Sequence, residues 1–263
     1  MNQFAVFAGA ARYEFWMQIR RRALWITMTL IALLLVGLIG RTQGAQDTLT
    51  HLGRFSLKTV VVYWTNFISY LLPIGFGALL ADRLPRDRRT KVEELFLSMP
   101  GSLSSRIFGK YLGAGLATLI PIFAFYLLGV GVIVAETHNL MAIPLAIEAF
   151  SAIILPGLFF VGGFSIACTA FLWTPLYQFL FAGYWFWGNI KIRNVPAIFD
   201  YIPGLRPMGS QISLGLFGVY ASGNPLLSAT PLEGLESLLL LVGLGLLAVF
   251  ALCQGLKWYQ AQQ

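Results

Sequence analysis

Six long apolar runs set the strongest limit on how this chain can fold. They cover Leu24 to Gly40, Val60 to Leu80, Tyr111 to Ala135, Ala142 to Phe171, Leu176 to Ile190 and Ser237 to Leu256. A helix rises about 1.5 Å per residue, so about 20 apolar residues cross about 30 Å of hydrocarbon. Backbone polar groups must be satisfied inside lipid, which favours helices. The sequence therefore predicts an all-α membrane protein with six transmembrane helices, in a single domain over residues 1–263.

The placement of charge separates this chain from nucleic-acid-binding proteins. Only 11% of its residues are charged and its net charge is +7, whereas a soluble domain averages about 25% charged residues. The basic residues flank apolar runs and do not form a stripe with interleaved aromatics, so they indicate membrane orientation and not a nucleic-acid partner.

The distribution of Lys and Arg predicts the topology. With the N-terminus inside, twelve of these residues lie on the cytoplasmic side and six lie outside. An excess of Lys and Arg marks cytoplasmic loops. We therefore expect a multi-pass protein of the cell (inner, or cytoplasmic) membrane with both termini in the cytoplasm.

The first 23 residues mix aromatic and polar residues in a helical pattern and do not form a span. Aromatic and apolar residues recur every three or four positions, and polar residues fill the other face; the former are Phe4, Phe7, Ala8, Ala11, Phe15 and Ile19, and the latter are Arg12, Glu14, Gln18 and Arg20 to Arg22. This pattern is typical of an amphipathic helix that lies on the bilayer surface. The alternative is a disordered basic tail, which would not place its aromatics periodically.

Residues 81–110 form a charge-dense segment between the second and third apolar runs, and we expect it to be a cytoplasmic loop. Arg83 to Lys91 holds five cations and one acid, Asp87. After it, Val92, Leu95, Phe96 and Met99 share one helical face, Glu93 and Glu94 lie on another, and Pro100-Gly101 ends the pattern. A short amphipathic helix of this kind suits docking into a groove of a soluble protein; packing on the membrane surface is the alternative.

The same segment resembles a known family. RDRRTKVEELFLSMPGSLSSRIFGKYLG is similar to the cytosolic segment of the ABC-2 type permeases, the membrane subunits of one class of ATP-binding-cassette exporter. The matching positions are Glu94, Leu95, Leu97, Pro100, Gly109 and Lys110. The N-terminal RYEFWMQIRRRALWI is similar to the elbow helix of that family.

The resemblance implies an exporter permease whose ATPase is a separate subunit. Two soluble ABC ATPase subunits and a second permease copy, identical or homologous, would complete the transporter. The coupling helix that docks on the ATPase would use Arg88, Arg89, Val92, Glu93, Glu94, Leu95, Phe96 and Met99. The elbow helix would use Arg12, Glu14, Phe15 and Arg20.

No catalytic or cofactor site is predicted in this chain. It lacks the G-x-x-x-x-G-K-[ST] pattern that cradles phosphates, because Gly109-Lys110 is followed by Tyr111 outside any glycine-rich loop. ATP and Mg would therefore bind to the partner ATPase. We expect no metal site and no enzymatic activity in this chain.

Two other regions could contribute to a transport path. Glu148 is an ionisable residue within an apolar run, which makes it a functional candidate, although its position near one end also fits snorkelling to the interface. Residues 191–236 are rich in Gly and Pro, and we expect an extracytoplasmic segment whose short helices dip back toward the outer leaflet. Tyr201, Phe217 and Tyr220 would line an apolar exit there, or serve ordinary packing.

Three other functions are alternatives to a permease. A membrane anchor that recruits an ATPase to a surface-assembly or motility complex would use the same docking helix. A secondary transporter would depend on Glu148 alone for ion coupling, and the chain shows no internal repeat. An intramembrane enzyme would need paired aspartates, H-E-x-x-H or a Ser-His pair within its spans, and the spans carry none.

Overall fold

The computed structural model describes residues 3–39, 55–89, 102–189, 201–219, 229–260 and 262, and this part of the chain is all-helical. The elements, in order, are α1 Gln3–Ile19, α2 Arg22–Ile39, α3 Leu57–Ala81, α4 Arg83–Arg89, α5 Leu103–Thr137, α6 Ala142–Ala149, a π-helical turn Phe150–Ile154, α7 Leu155–Thr169, α8 Thr174–Asn189, a 3₁₀ turn Pro203–Leu205, α9 Ser210–Phe217 and α10 Pro231–Gln260. The expected fold class is therefore confirmed as all-α, and each predicted apolar run overlaps a helix.

Four stretches within the described residues are long and apolar enough to cross a membrane. They are Leu57–Arg86, Leu103–Thr137, Ala142–Thr169 and Pro231–Trp258. A fifth candidate is the pair of α1 and α2, whose axes are bent by 63° at a short break. Helix α8 has 16 residues, fewer than the roughly 20 of a typical span. The number six remains a prediction.

The contacts of α8 fix its direction relative to the rest of the bundle. Gln178 Nε2 donates to the carbonyl oxygen of Ala78 at 3.0 Å, and Trp185 Nε1 donates to that of Tyr70 at 2.9 Å. Residue numbers rise along α8 as they fall along α3, so the two helices are antiparallel.

Helices α7 and α10 run in the same direction. Gly163 lies against the backbone of Gly245, and the ring of Phe171 approaches Gly255. Side chains at Gly163 or Gly245 would collide with backbone, so two glycines allow this close crossing. The chain therefore reverses between α7 and α10, and α8 is the helix that runs the other way.

Helix α3 lies at the centre of the bundle and contacts α2, α5, α6, α7 and α8. Tyr126 of α5 is fully buried beside it. The Tyr126 hydroxyl donates to the carbonyl oxygen of Ala146 in α6 at 2.9 Å and lies 2.9 Å from Thr65 Oγ1 in α3. This buried hydroxyl of α5 contacts both α3 and α6 and so joins three helices. A polar group removed from water needs such hydrogen-bond partners.

The long fourth apolar run is one helix interrupted by a π-helical turn. The Leu155 N–H donates to the carbonyl oxygen of Phe150, five residues back. The next residue, Pro156, has no N–H to offer. The wider π-helical turn avoids the clash that Pro156 would make with the preceding turn of a regular α-helix. Helices α6 and α7 therefore continue as one helix.

The described part of the predicted outer segment packs on the bundle. The carbonyl oxygen of Pro207 approaches Gly157 of α7, and Ser237 Oγ of α10 donates to the carbonyl oxygen of Gly204 at 2.8 Å. Gly209 has φ +74°, a left-handed conformation that favours glycine. Residues 201–219 thus form short helices against α7 and α10; whether they dip into a leaflet remains a prediction.

Candidate functional site

A buried ion pair joins the N-terminal helix to the segment that follows α3. Arg83 Nη2, at the start of α4, donates to Glu14 Oε2 of α1. Both residues are about 2% exposed. A buried charge that loses its partner is costly, so this pair holds α1 against the junction of α3 and α4.

Gln18 extends the pair into a polar cluster. Its Oε1 accepts from Arg83 Nη1 at 3.2 Å, and its Nε2 donates to Thr118 Oγ1 of α5 at 3.3 Å. One turn further, Arg21 Nη2 donates to Asp82 Oδ2 at 3.0 Å in a partly exposed ion pair. We call Glu14, Gln18, Arg21, Asp82, Arg83 and Thr118 the polar cluster.

Helix α1 packs along the first half of α5 over two glycines. A Cβ at Gly109 would lie 2.8 Å from that of Ala10, and one at Gly113 would collide with the backbone of Ala11. At the far end of the contact, Ser105 Oγ donates to Gln3 Oε1 at 3.0 Å. The Gly109-x-x-x-Gly113 spacing places both glycines on one face and allows close helix packing.

The start of α5 is fixed by a local cap. The Ser105 N–H donates to Ser102 Oγ at 3.2 Å, the arrangement by which serine satisfies the free N–H groups of a helix N-terminus. Helix α4 begins at Arg83, with only Asp82 between it and the end of α3 at Ala81. The helices that flank residues 90–101 are therefore both joined to α1, α4 through Arg83 and α5 through its glycines.

Most of the predicted docking residues lie outside the described residues. Arg88 and Arg89 are in the last turn of α4, but only their backbone is described. The others, Val92, Glu93, Glu94, Leu95, Phe96 and Met99, fall in the gap between 89 and 102. Their roles stay predictions.

Of the four predicted elbow residues, three are at least partly exposed and one is buried. Arg12 and Arg20 are exposed, and Arg20 lies over the Trp16 ring at 5.5 Å; Phe15 is half-buried. Glu14 does not lie on a solvated polar face, so its assignment there was wrong, as was that of Gln18. Both side chains are buried because Arg83 and Thr118 supply hydrogen-bond partners from other helices.

The predicted path residues are not joined to one another by any described hydrogen bond or ring contact. Glu148 is exposed, Tyr201 is 75% exposed, and Tyr220 lies outside the described residues. Phe217 is buried beneath Lys58, whose Nζ lies 5.8 Å from the ring centroid. These contacts fit the packing alternative for Phe217, and its part in an apolar exit stays a prediction.

Reasoning from the sequence missed the polar cluster. Arg83 was counted only as one of several loop cations, and Asp82, Thr118 and Gly113 were not singled out. Two signals were available: Glu14, Gln18 and Arg21 recur at four- and three-residue spacing, which puts them on one helical face, and Gly109-x-x-x-Gly113 marks a close helix contact.

The described residues contain no group of three or more His, Cys, Asp or Glu side chains that could hold a metal ion. Comparison with protein-family models and with curated proteins finds no match for the chain.

Proposed function

We propose that this chain is the transmembrane permease subunit of an ABC transporter, and specifically of an exporter. It would work in the cell membrane with two soluble ABC ATPase subunits and a second permease copy. ATP and Mg would bind to the ATPase, and this chain would convert the movement of that partner into movement of its own helices.

The observation that carries this proposal is that the helices on either side of residues 90–101 both contact α1. Arg83, at the start of α4, is paired with Glu14 of α1, and the first half of α5 packs on the same helix through Gly109 and Gly113. We expect this shared contact to pass a push on the intervening segment to α3 and α5 together. A loosely attached loop would absorb such a push.

The directions of the helices support six spans with both termini on one side of the membrane, and the distribution of Lys and Arg favours the cytoplasm for that side. Because α8 is antiparallel to α3 and α10 is parallel to α7, the described helices α2, α3, α5, α6–α7, α8 and α10 alternate in direction. Sixteen residues of α8 span about 24 Å, somewhat less than an average hydrocarbon core, and exposed Trp173 and Trp187 near its ends suit membrane interfaces.

Photo-cross-linking in the native membrane tests the docking role of the central segment. We would place a benzophenone amino acid at Phe96, on the predicted docking face, and at the exposed Tyr13 of α1 as the control. The Phe96 probe is expected to capture a soluble protein that carries a P-loop, and the Tyr13 probe is not. Capture of lipid alone by the Phe96 probe would contradict the proposal.

A further inference from the structure

An apolar cavity of about 170 Å³ opens between α3, α5 and α7. Its walls include Phe76, Tyr111, Gly115, Leu119, Leu158 and Phe159, and its lining is entirely apolar. An engineered apolar cavity of roughly this size stays dry and takes up benzene. The cavity is therefore large enough for part of a hydrocarbon chain and offers nothing to a polar molecule.

The hydroxyl of the tyrosine in the cavity wall is already satisfied. Tyr111 forms part of the wall, and its hydroxyl donates to the carbonyl oxygen of Phe159 at 2.9 Å. A headgroup, a sugar or a peptide entering here would lose its own hydrogen bonds without replacement, which is costly. The lining selects against all of these classes.

Gly115 creates the space. A Cβ added at this position would meet only the ring edge of Phe76, at 3.8 Å. Its neighbours on α5 behave differently, since Gly109 and Gly113 are in contact with α1. The missing side chain at Gly115 leaves the cavity open, whereas Gly109 and Gly113 allow α1 and α5 to pack closely.

The mouth of the cavity is continuous with the exposed apolar surface of α5. Leu116, at the rim, is 53% exposed, and Ile120, one turn further along α5, is 40% exposed. Both lie in a candidate membrane span, so the molecules that surround this surface would be lipid chains. An empty apolar hole forfeits dispersion contacts on all its walls, and an adjacent chain would restore them.

We propose that this cavity binds one hydrocarbon chain of a bilayer lipid, entering sideways past Leu116. In the proposed topology the lipid belongs to the inner leaflet, since the cavity lies in the half of α5 nearer the polar cluster. The inference rests on the membrane embedding proposed above and is independent of the ATPase partner.

The test uses the full chain in phosphatidylcholine vesicles whose acyl chains carry a diazirine, with labelled residues mapped by mass spectrometry. Leu158 is the diagnostic residue, because it is 3% exposed and a chain outside the cavity would not reach it. Leu239 and Leu247 of α10, both 60% exposed, report embedding in the membrane. We expect Leu158 and the α10 leucines to be labelled.

Gly115→Phe, which fills the cavity, is expected to lower the labelling of Leu158 by roughly tenfold, because occupancy of the cavity would fall by that factor. The labelling of the α10 leucines should not change. Gly131→Phe is the matched control on α5, since nothing lies near a Cβ there. If Gly115→Phe does not fold, Leu119→Trp fills the same space.

Three results would overturn the inference. Labelled α10 with unlabelled Leu158 would show that no chain enters. Equal labelling of Leu158 after filling would show that labelling reflects access elsewhere. Absence of label from both regions would reject membrane embedding itself, and with it the proposed function.

Discussion

Glu14 and Arg83 form a buried ion pair although 69 positions separate them in the chain. The pair ties the N-terminal helix to the point at which the chain leaves α3. With Gln18, which accepts from Arg83 and Arg21 and donates to Thr118, it makes one unit of α1, the α3–α4 junction and the first half of α5. The proposed coupling role requires this unit to move as one body.

Breaking the pair from one side should destabilise the protein strongly. Arg83→Met leaves the Glu14 carboxylate buried without its cation, which is expected to cost about 3–5 kcal/mol. The double variant Glu14→Leu with Arg83→Met should recover most of that loss, because neither charge remains. Thermal unfolding of the detergent-solubilised protein measures both, with exposed Arg12→Met as the control. A double variant no more stable than Arg83→Met alone would show that the pair is not the cause.

A side chain at Gly113, where α1 and α5 pack closely, should push the two helices apart. Gly113→Val forces a side chain into the backbone of Ala11, and overpacking of this kind costs about 1–3 kcal/mol. Limited trypsin digestion at Arg12 should become faster in this variant. Gly131→Val, on the same helix with open space around it, should digest like the parent protein; equally slow digestion of both variants would argue against the close contact.

The Tyr126 hydroxyl should contribute measurably to the packing of α3, α5 and α6. Tyr126→Phe leaves the Ala146 carbonyl oxygen without this donor, and we expect a loss of about 1–2 kcal/mol. Tyr13→Phe, at a residue that is 57% exposed, serves as control and should have little effect. Unfolding by denaturant compares the two variants, and equal stability would mean that the hydroxyl bond is replaced or weak.

The proposed topology places residue 140 and residue 262 on opposite sides of the membrane. Leu140, in the turn between α5 and α6, is 72% exposed. In a background with Cys168→Ala and Cys253→Ala, Leu140→Cys should react with a membrane-impermeant maleimide in intact cells. Gln262→Cys should react only after permeabilisation. Labelling of both from outside would remove the six-span arrangement.

The helices could be predicted from the sequence because each depends on a local signal. The apolar run Tyr111 to Ala135 falls within α5, and the run Ala142 to Phe171 covers α6, the π-helical turn and α7. An apolar run long enough to cross a bilayer is a strong sequence signal. The alternating directions of the helices follow from the order of those runs.

The polar cluster could not be predicted in the same way. Glu14 has the local pattern of a solvated residue, and only the approach of Arg83 from a different helix makes its burial possible. Phe217 shows the converse, since its surroundings look like a loop in the sequence although Lys58 covers its ring. Residue spacing can mark a shared face on one helix, but a single sequence does not say which distant residue pairs with that face.

Purification of this chain from its native membranes in a gentle detergent, with mass spectrometry of the retained proteins, tests the central claim most directly. Two variants accompany the parent chain: Leu95→Asp, on the predicted docking face, and Ser98→Asp, which adds the same charge at a position outside the predicted docking set. A soluble P-loop ATPase is expected to be retained by the parent and by Ser98→Asp and to be lost from Leu95→Asp. Absence of any such ATPase from the parent, even after cross-linking, or equal retention by both variants, would contradict the docking of an ATPase on this segment.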